Sequence, residues 1–242
     1  MKIKLDYSPN FSKKSRKLKD IKFIIIHYTG MQSEIESTLR LKDQRHKVST
    51  HYLISRRGVV TQMVKDNKIA WHAGKSRWRN YYNLNKFSIG IELVNKGHQF
   101  GYEKFPKTQI VSLINICKKL KKKYNIKSPN FLGHSDIAPL RKSDPGEKFP
   151  WKTLSMHNLG YWYEKKSNKF KKFDHQKKTK QFFENLFKIG YRYFKISERK
   201  KQRDKLIIKA FQRRYLPNKV SGKIDKKTLF ISDYLAKVKK IS

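Results

Sequence analysis

The sequence is poor in cysteine and in acidic residues, and it has no long apolar run. Its single cysteine, Cys117, excludes an intramolecular disulfide, so the fold does not depend on an oxidising compartment. The longest apolar run, FIII at 23–26, is far too short to cross a bilayer. The first twenty residues contain no apolar stretch leading to a small-residue cleavage site, so we expect no secretory signal. These absences favour a soluble protein that is cytoplasmic by default, with the periplasm or cell envelope as the alternative.

The scarcity of acidic residues leaves a strongly basic chain. Lysine and arginine outnumber aspartate and glutamate by 59 to 18, for a formal net charge of +41. Such a chain attracts polyanions, and nucleic acid, anionic lipid and acidic wall polymers all qualify. The alternative, which we favour for most of the charge, is a global drift in residue usage. No nucleic-acid-binding motif accompanies the charge, so we expect no specific nucleic-acid partner.

Short apolar strands alternate with amphipathic segments through the first two thirds of the chain. Residues 22–27, KFIIIH, form an unbroken apolar run that is typical of a strand buried on both faces. The other predicted elements are two strands within 50–64, a strand at 88–94, a helix at 107–124 and a strand at 130–133. Interleaved strands and helices predict an α/β fold with a mixed central sheet flanked by helices.

The pattern changes after about residue 165. Residues 166–178 are polar and basic and predict a linker. No convincing strand follows, and the periodicity predicts three helices at 179–188, 198–214 and 225–239. The predicted organisation is therefore an α/β domain over 1–165, a basic linker over 166–178 and a small all-helical domain over 179–242.

The segment GHSDIAPLRKSDPG, residues 133–146, gathers reactive side chains on an ordered loop. Its two prolines prevent it from continuing as helix or strand, and loops of this kind usually carry function. His134 follows a predicted strand, and Asp144 lies ten residues later on a loop that can curl back. His27 ends another predicted strand, at the edge where open α/β sheets place their ligand crevice.

Two imidazoles and one carboxylate are a recognised set of catalytic zinc ligands, with the fourth position left to water. Because a second cysteine is lacking, histidine and carboxylate are the ligands available. Each residue also has a simpler interpretation. His27 is then a hydrogen-bonded strand-end residue, and Asp144 merely starts the DPG turn.

Glu92 and Lys142 are the other candidates for chemistry. Glu92 shares a strand face with Gly90, and an acidic residue in so apolar a strand needs a partner such as a metal-bound water. The alternative is an ion pair with one of the many lysines. Lys142 lies two residues before Asp144 and in an extended loop points the same way, where a cation stabilises a developing oxyanion. In so basic a chain, a chance lysine is the alternative.

Four segments occur in a recognisable order between about residues 20 and 163: FIIIHYTG, VSTHYLISRRGVVTQMV, AWHAGKSRWRNYYNLNKFSIGIELVN and LGHSDIAPLRKSDPGEKFPW. Together they resemble the zinc-dependent N-acetylmuramoyl-L-alanine amidases of the type 2 amidase family, which are related to the peptidoglycan-recognition proteins. The resemblance implies that the chain hydrolyses the amide between the lactyl group of N-acetylmuramic acid and L-alanine in peptidoglycan or muropeptides. It also implies that His27, His134 and Asp144 hold Zn²⁺, and that Glu92 and Lys142 take part in catalysis.

Two further segments carry looser resemblances. Trp71, His72 and Trp78 lie in AWHAGKSRW, which resembles the family's substrate-side loop, although aromatic residues are also ordinary packing material. Residues 206–235 are similar to the three-helix peptidoglycan-binding domain, with a generic basic helical bundle as the alternative. The rival function is a non-catalytic peptidoglycan-recognition protein. Such relatives have usually lost a zinc ligand, whereas all three ligand positions and both catalytic positions are present here.

Overall fold

Ten strands and seven α-helices build the part of the chain that the computed structural model describes, residues 2–164 and 175–238. The strands are β1 (Ile3–Leu5), β2 (Phe11–Ser12), β3 (Phe23–Tyr28), β4 (Tyr52–Ile54), β5 (Val60–Gln62), β6 (Ile69–Ala70), β7 (Arg77–Trp78), β8 (Tyr81–Tyr82), β9 (Ser88–Leu93) and β10 (Phe131–Gly133). The helices are α1 (Glu34–Lys42), α2 (Lys107–Tyr124), α3 (His134–Ile137), α4 (Trp151–Met156), α5 (His175–Ile189), α6 (Lys201–Tyr215) and α7 (Lys226–Val238).

Six of the strands form the central sheet, in the order β1-β5-β4-β9-β3-β10. Strand β3, next to the edge strand β10, pairs in parallel with both β9 and β10, and β4 is parallel to β9. Strands β1 and β5 are also parallel, and β4–β5 is the one antiparallel pair within this sheet. The predicted α/β class with a mixed central sheet is therefore confirmed. The predicted helix over 107–124 coincides with α2.

The apolar run in β3 is buried on both faces of the sheet, as its unbroken pattern predicts. Ile24 and Ile26 face one hydrophobic cluster, which contains Leu113 and Cys117 of α2. Phe23 and Ile25 alternate with them and face a second cluster on the opposite side. The sheet is thus a layer between two cores, and only the ends of its strands are left to form a site.

The second core is built largely by the C-terminal helices. Phe182 of α5, Phe211 of α6 and Leu235 of α7 share one cluster with Phe23 and Ile25 of β3. The three helices therefore pack directly on the sheet, and their bounds lie within four residues of the predicted segments. Because the helices and the sheet share this cluster, their packing does not mark where one domain ends and the next begins. The predicted domain boundaries therefore stay a prediction.

The predicted basic linker over 166–178 is described only in part. Residues 166–174 lie outside the described residues, and residues 175–178 begin α5. Among the described helices, we find none with the length and apolar character that a bilayer span requires.

Candidate metal centre and cavity

A cavity of about 420 Å³ opens at the carboxyl ends of β3 and β9. Glu92, His134, Lys142 and Asp144 all line it, so the structure gathers these predicted residues at one place. Arg40 and Arg141 also line the cavity and, together with Lys142, make it cationic. The cavity therefore suits a ligand that carries negative charge.

Strand register explains why the predicted residues meet. His27 on β3 pairs directly with Glu92 on β9. On the other side of β3, Gly133 of β10 pairs with Ile26, so the next residue, His134, falls beside His27. Asp144 returns to the same point because its backbone carbonyl accepts a hydrogen bond from the Ser135 N–H, 2.9 Å away.

Three side-chain atoms converge at this point: His27 Nδ1, His134 Nδ1 and Asp144 Oδ2. The two Nδ1 atoms are 3.0 Å apart, and they lie 3.0 and 3.1 Å from Asp144 Oδ2. All three residues are buried, with exposures of 1, 3 and 6%. Among the described residues this is the group of histidine, cysteine and acidic side chains able to share a metal ion.

The hydrogen bonds of His134 test whether a cation fits. Its Nε2 lies 3.1 Å from the carbonyl oxygen of Ala73, which can only accept, and 3.3 Å from Arg141 Nη2, which can only donate; the shorter contact assigns the proton to Nε2. With the single imidazole proton on Nε2, as in the metal-binding form of histidine, Nδ1 presents its lone pair to the Asp144 carboxylate. Because a lone pair and a carboxylate oxygen 3.1 Å apart repel each other, this donor set fits a divalent cation between them.

The electrostatics of the site keep the His27 imidazole neutral and the Asp144 carboxylate charged. Burial, followed by the neighbouring His134, lowers the pKa of His27 to about 4. Burial alone would raise the pKa of Asp144, but the adjacent His134 and His27 lower it below its ordinary value. Neutral imidazole and ionised carboxylate are the forms that bind metal.

Glu92 has the opposite perturbation. Burial, followed by the charge of Asp144, raises the pKa of Glu92 well above its ordinary value, and Lys142 only partly opposes this. The Oε2 atom of Glu92 is buried and has no hydrogen-bond partner among the described residues. A carboxyl group with a raised pKa and an unused oxygen is suited to accept and return a proton.

The aromatic candidates separate into three different environments. Trp71 lines the cavity, and its role as a substrate contact stays a prediction. His72 borders the cavity, but it is only 8% exposed, and its Nδ1 lies 3.0 Å from His27 Nε2. Trp78 is 2% exposed and packs edge-on against Tyr191, with ring centroids 4.9 Å apart. The structure therefore places Trp78 in the core beneath the C-terminal helices, where it cannot stack on a substrate in this cavity.

His98, to which the sequence assigned no role, belongs to the rim of the cavity. Its Nδ1 lies 2.8 Å from the hydroxyl of Tyr28, and its Nε2 lies 3.1 Å from Glu147. The Tyr28 hydroxyl also lies 3.2 Å from Ser143 Oγ, beside Asp144. The only signal in the sequence was position, because His98 follows the strand that carries Glu92.

Comparison with known sequences gives one consistent assignment. A family model described as N-acetylmuramoyl-L-alanine amidase matches residues 17–147. The N-acetylmuramoyl-L-alanine amidase AmiD of Escherichia coli K12 is 34% identical over 231 residues, which cover 89% of this chain and 82% of that protein. The 1,6-anhydro-N-acetylmuramyl-L-alanine amidase AmpD of Haemophilus influenzae is 35% identical over 162 residues, or 60% of this chain and 85% of that protein.

Solved structures extend the similarity to the C-terminal helices. The structure of E. coli AmiD with the substrate anhydro-N-acetylmuramic acid-L-Ala-D-γ-Glu-L-Lys matches with a TM-score of 0.79 at 31% identity, over 94% of this chain and 92% of that one. AmpDh3 of Pseudomonas aeruginosa in complex with anhydromuramic pentapeptide matches with a TM-score of 0.77 at 27% identity, over 96% and 97%.

Proposed function

The chain belongs to the N-acetylmuramoyl-L-alanine amidase family, and from this membership we propose that it is a zinc-dependent amidase of muropeptides. It cleaves the amide between the lactyl group of N-acetylmuramic acid and L-alanine. The observation that carries the zinc assignment is the convergence of His27 Nδ1, His134 Nδ1 and Asp144 Oδ2 within 3.0–3.1 Å of one another. Two nitrogens and one oxygen are ligands that zinc accepts in catalytic sites.

A zinc ion bound there supplies Lewis-acid chemistry and a nucleophile at neutral pH. The chain's own residues supply the rest. Glu92, directly opposite His27 across β3 and β9, takes the proton from the attacking water on its carboxylate and returns it to the departing alanine nitrogen. Lys142, on the same cavity wall, stabilises the negative charge that develops on the lactyl carbonyl oxygen.

The cationic lining of the cavity supports an anionic substrate. Stem peptides of muropeptides carry free carboxylates, and the substrate bound by the E. coli AmiD relative includes a D-γ-Glu residue. Arg40 and Arg141 lie on the cavity wall with Lys142, where they can pair with such carboxylates.

We extend the proposal to the C-terminal helices, which we assign a peptidoglycan-binding role on the resemblance of residues 206–235 to a peptidoglycan-binding domain. A wall-binding part is most useful outside the inner membrane, which supports the cell envelope as the alternative to the cytoplasmic default. Cell fractionation followed by detection of the protein tests this location.

The decisive experiment is incubation with a purified muropeptide, with and without a chelator. We expect release of free stem peptide that stops on chelation and returns with added zinc. The rival, a non-catalytic peptidoglycan-binding protein, predicts binding of the same muropeptide without release of peptide. Release that persists in excess chelator would contradict the metal-dependent mechanism.

A further inference from the structure

We propose that His72 and Ala73 together fix the protonation of both histidine ligands and thereby preorganise the metal centre. This inference rests on the proposed zinc site and deepens it. His72 is thus a positioning residue that acts through His27. The sequence places the pair in the segment AWHAG, which we had associated with substrate contact.

The imidazole ring of His72 packs against β9 at Gly90, where the strand has no side chain. On β9, Ser88, Gly90 and Glu92 pair with Phe23, Ile25 and His27 of β3, so these three positions share a face with His27. A Cβ atom at Gly90 would come within 2.4 Å of His72 Cγ, so only glycine leaves room for the imidazole. The space that Gly90 leaves beside Glu92 is therefore filled by a histidine ring.

A chain of hydrogen bonds from a carbonyl fixes the tautomer of His72. Ser88 Oγ lies 2.6 Å from the carbonyl oxygen of Leu84, so the Ser88 hydroxyl must donate there. Ser88 Oγ is then left to accept from His72 Nε2, 3.3 Å away. A neutral imidazole has one N–H, so His72 Nδ1 is an acceptor.

The same series of hydrogen bonds determines the tautomer of His27. His72 Nδ1 lies 3.0 Å from His27 Nε2, which must therefore carry the proton and donate it. His27 Nδ1 is left bare, facing the metal position. Without His72, the proton of His27 would be drawn to Nδ1 by the Asp144 carboxylate, 3.0 Å away, and that tautomer cannot bind a metal through Nδ1.

Ala73, the residue after His72, fixes the position of the proton on the second histidine ligand, His134. The carbonyl of Ala73 accepts from His134 Nε2 at 3.1 Å, and its second lone pair accepts from the Arg141 guanidinium. Both acceptors are held by one side chain, because Asn85 Oδ1 accepts the backbone N–H groups of His72 and Ala73 at 3.1 and 2.7 Å. One anchored dipeptide thus orients two ligands that lie 107 residues apart in the sequence.

The test is zinc affinity, measured on the full chain by competition with a chromophoric chelator. His72→Phe keeps the flat ring but removes the acceptor, and we expect zinc binding to weaken about 10- to 100-fold. His72→Asn returns an acceptor oxygen close to the position of Nδ1 and should recover most of the affinity. Cys117→Ala, a buried change on the opposite face of the sheet, is the matched control and should leave the affinity unchanged.

A second readout reports the tautomer directly and needs no variant. Two-bond ¹H–¹⁵N spectra of the zinc-free wild type should show the proton of His27 on Nε2. A proton on Nδ1, or equal zinc affinity in wild type and His72→Phe, would overturn the inference. A wild type that binds no zinc at all would instead refute the proposed metal site, so the two failures are distinguishable.

Discussion

The guanidinium of Arg214 forms a buried ion pair with the carboxylate of Asp136. Asp136 lies in α3, two residues after His134, and also accepts a hydrogen bond from the Tyr191 hydroxyl at 2.5 Å and from the Gly133 N–H at 2.8 Å. Two of its three partners come from the C-terminal part of the chain. The helices after residue 175 are therefore tied to the element that begins with a metal ligand.

Removal of one partner of this pair should destabilise the protein strongly. Arg214→Met leaves Asp136 as a buried, poorly compensated charge, for which the expected loss is about 3–5 kcal/mol in the free energy of unfolding. Urea unfolding measures it. The neighbouring Arg213 pairs with Glu147 at 3.8 Å in a more exposed setting, so Arg213→Met should cost about 1 kcal/mol or less. Equal costs for the two variants would contradict the larger stabilising role assigned to the buried Arg214–Asp136 pair.

Glu92→Gln separates proton transfer from metal binding. The amide is nearly isosteric but cannot take a proton, so we expect turnover of muropeptide to fall by about 10²- to 10⁴-fold. Zinc affinity should be retained, because Glu92 is not among the three converging donors. Steady-state peptide release and a zinc titration of the same preparation test both parts. A variant with wild-type turnover would exclude Glu92 as the base.

Gly90→Ala tests the close approach of His72 to the sheet. The added methyl would lie 2.4–2.7 Å from atoms of the His72 ring, so we expect a loss of about 1–3 kcal/mol in stability together with weaker zinc binding. In the double variant with His72→Ala the methyl has room, and its extra stability cost should disappear. Additive costs in this cycle would mean that the two groups do not meet.

The lowered pKa of His51 predicts how the stability of the protein responds to acid. Burial, followed by the charge of Arg16, lowers the pKa of His51 to about 3. In the unfolded chain this histidine takes up a proton near pH 6.5, whereas in the folded protein it stays neutral until about pH 3. Its contribution to the free energy of unfolding is therefore fully present above pH 6.5 and is lost as the pH falls towards 3. At its steepest, this loss is about 1.4 kcal/mol per pH unit. Urea unfolding of wild type and His51→Gln between pH 7 and pH 4 measures it. Stability curves that run parallel would contradict the shift.

The sequence indicated which candidate residues converge better than it indicated what surrounds them. The ends of β3 and β10 were evident from apolar runs, and this was enough to choose His27 and His134. That Gly133 pairs with Ile26 was not evident, because register depends on packing on both faces of the sheet. The alternation of the strand placed Gly90 on the face of Glu92, but the ring that fills the space at Gly90 comes from a segment 18 residues earlier.

Trp78 shows where local reasoning fails. Its neighbours in AWHAGKSRW indicated a substrate loop, yet its ring packs against Tyr191, which is 113 residues away along the chain. The same limit applies to the C-terminal helices. Their periodicity predicted where they lie in the sequence, but not that Phe182 and Phe211 complete the core beneath β3. Contacts between distant segments leave no periodic pattern in either segment alone.

The most direct test of the proposed metal centre is the anomalous scattering of zinc in a crystal grown with the metal. We predict one peak bonded to His27 Nδ1, His134 Nδ1 and Asp144 Oδ2, each at about 2.0–2.2 Å. A peak bonded to other side chains, or no peak beside these three at saturating zinc, would contradict the account.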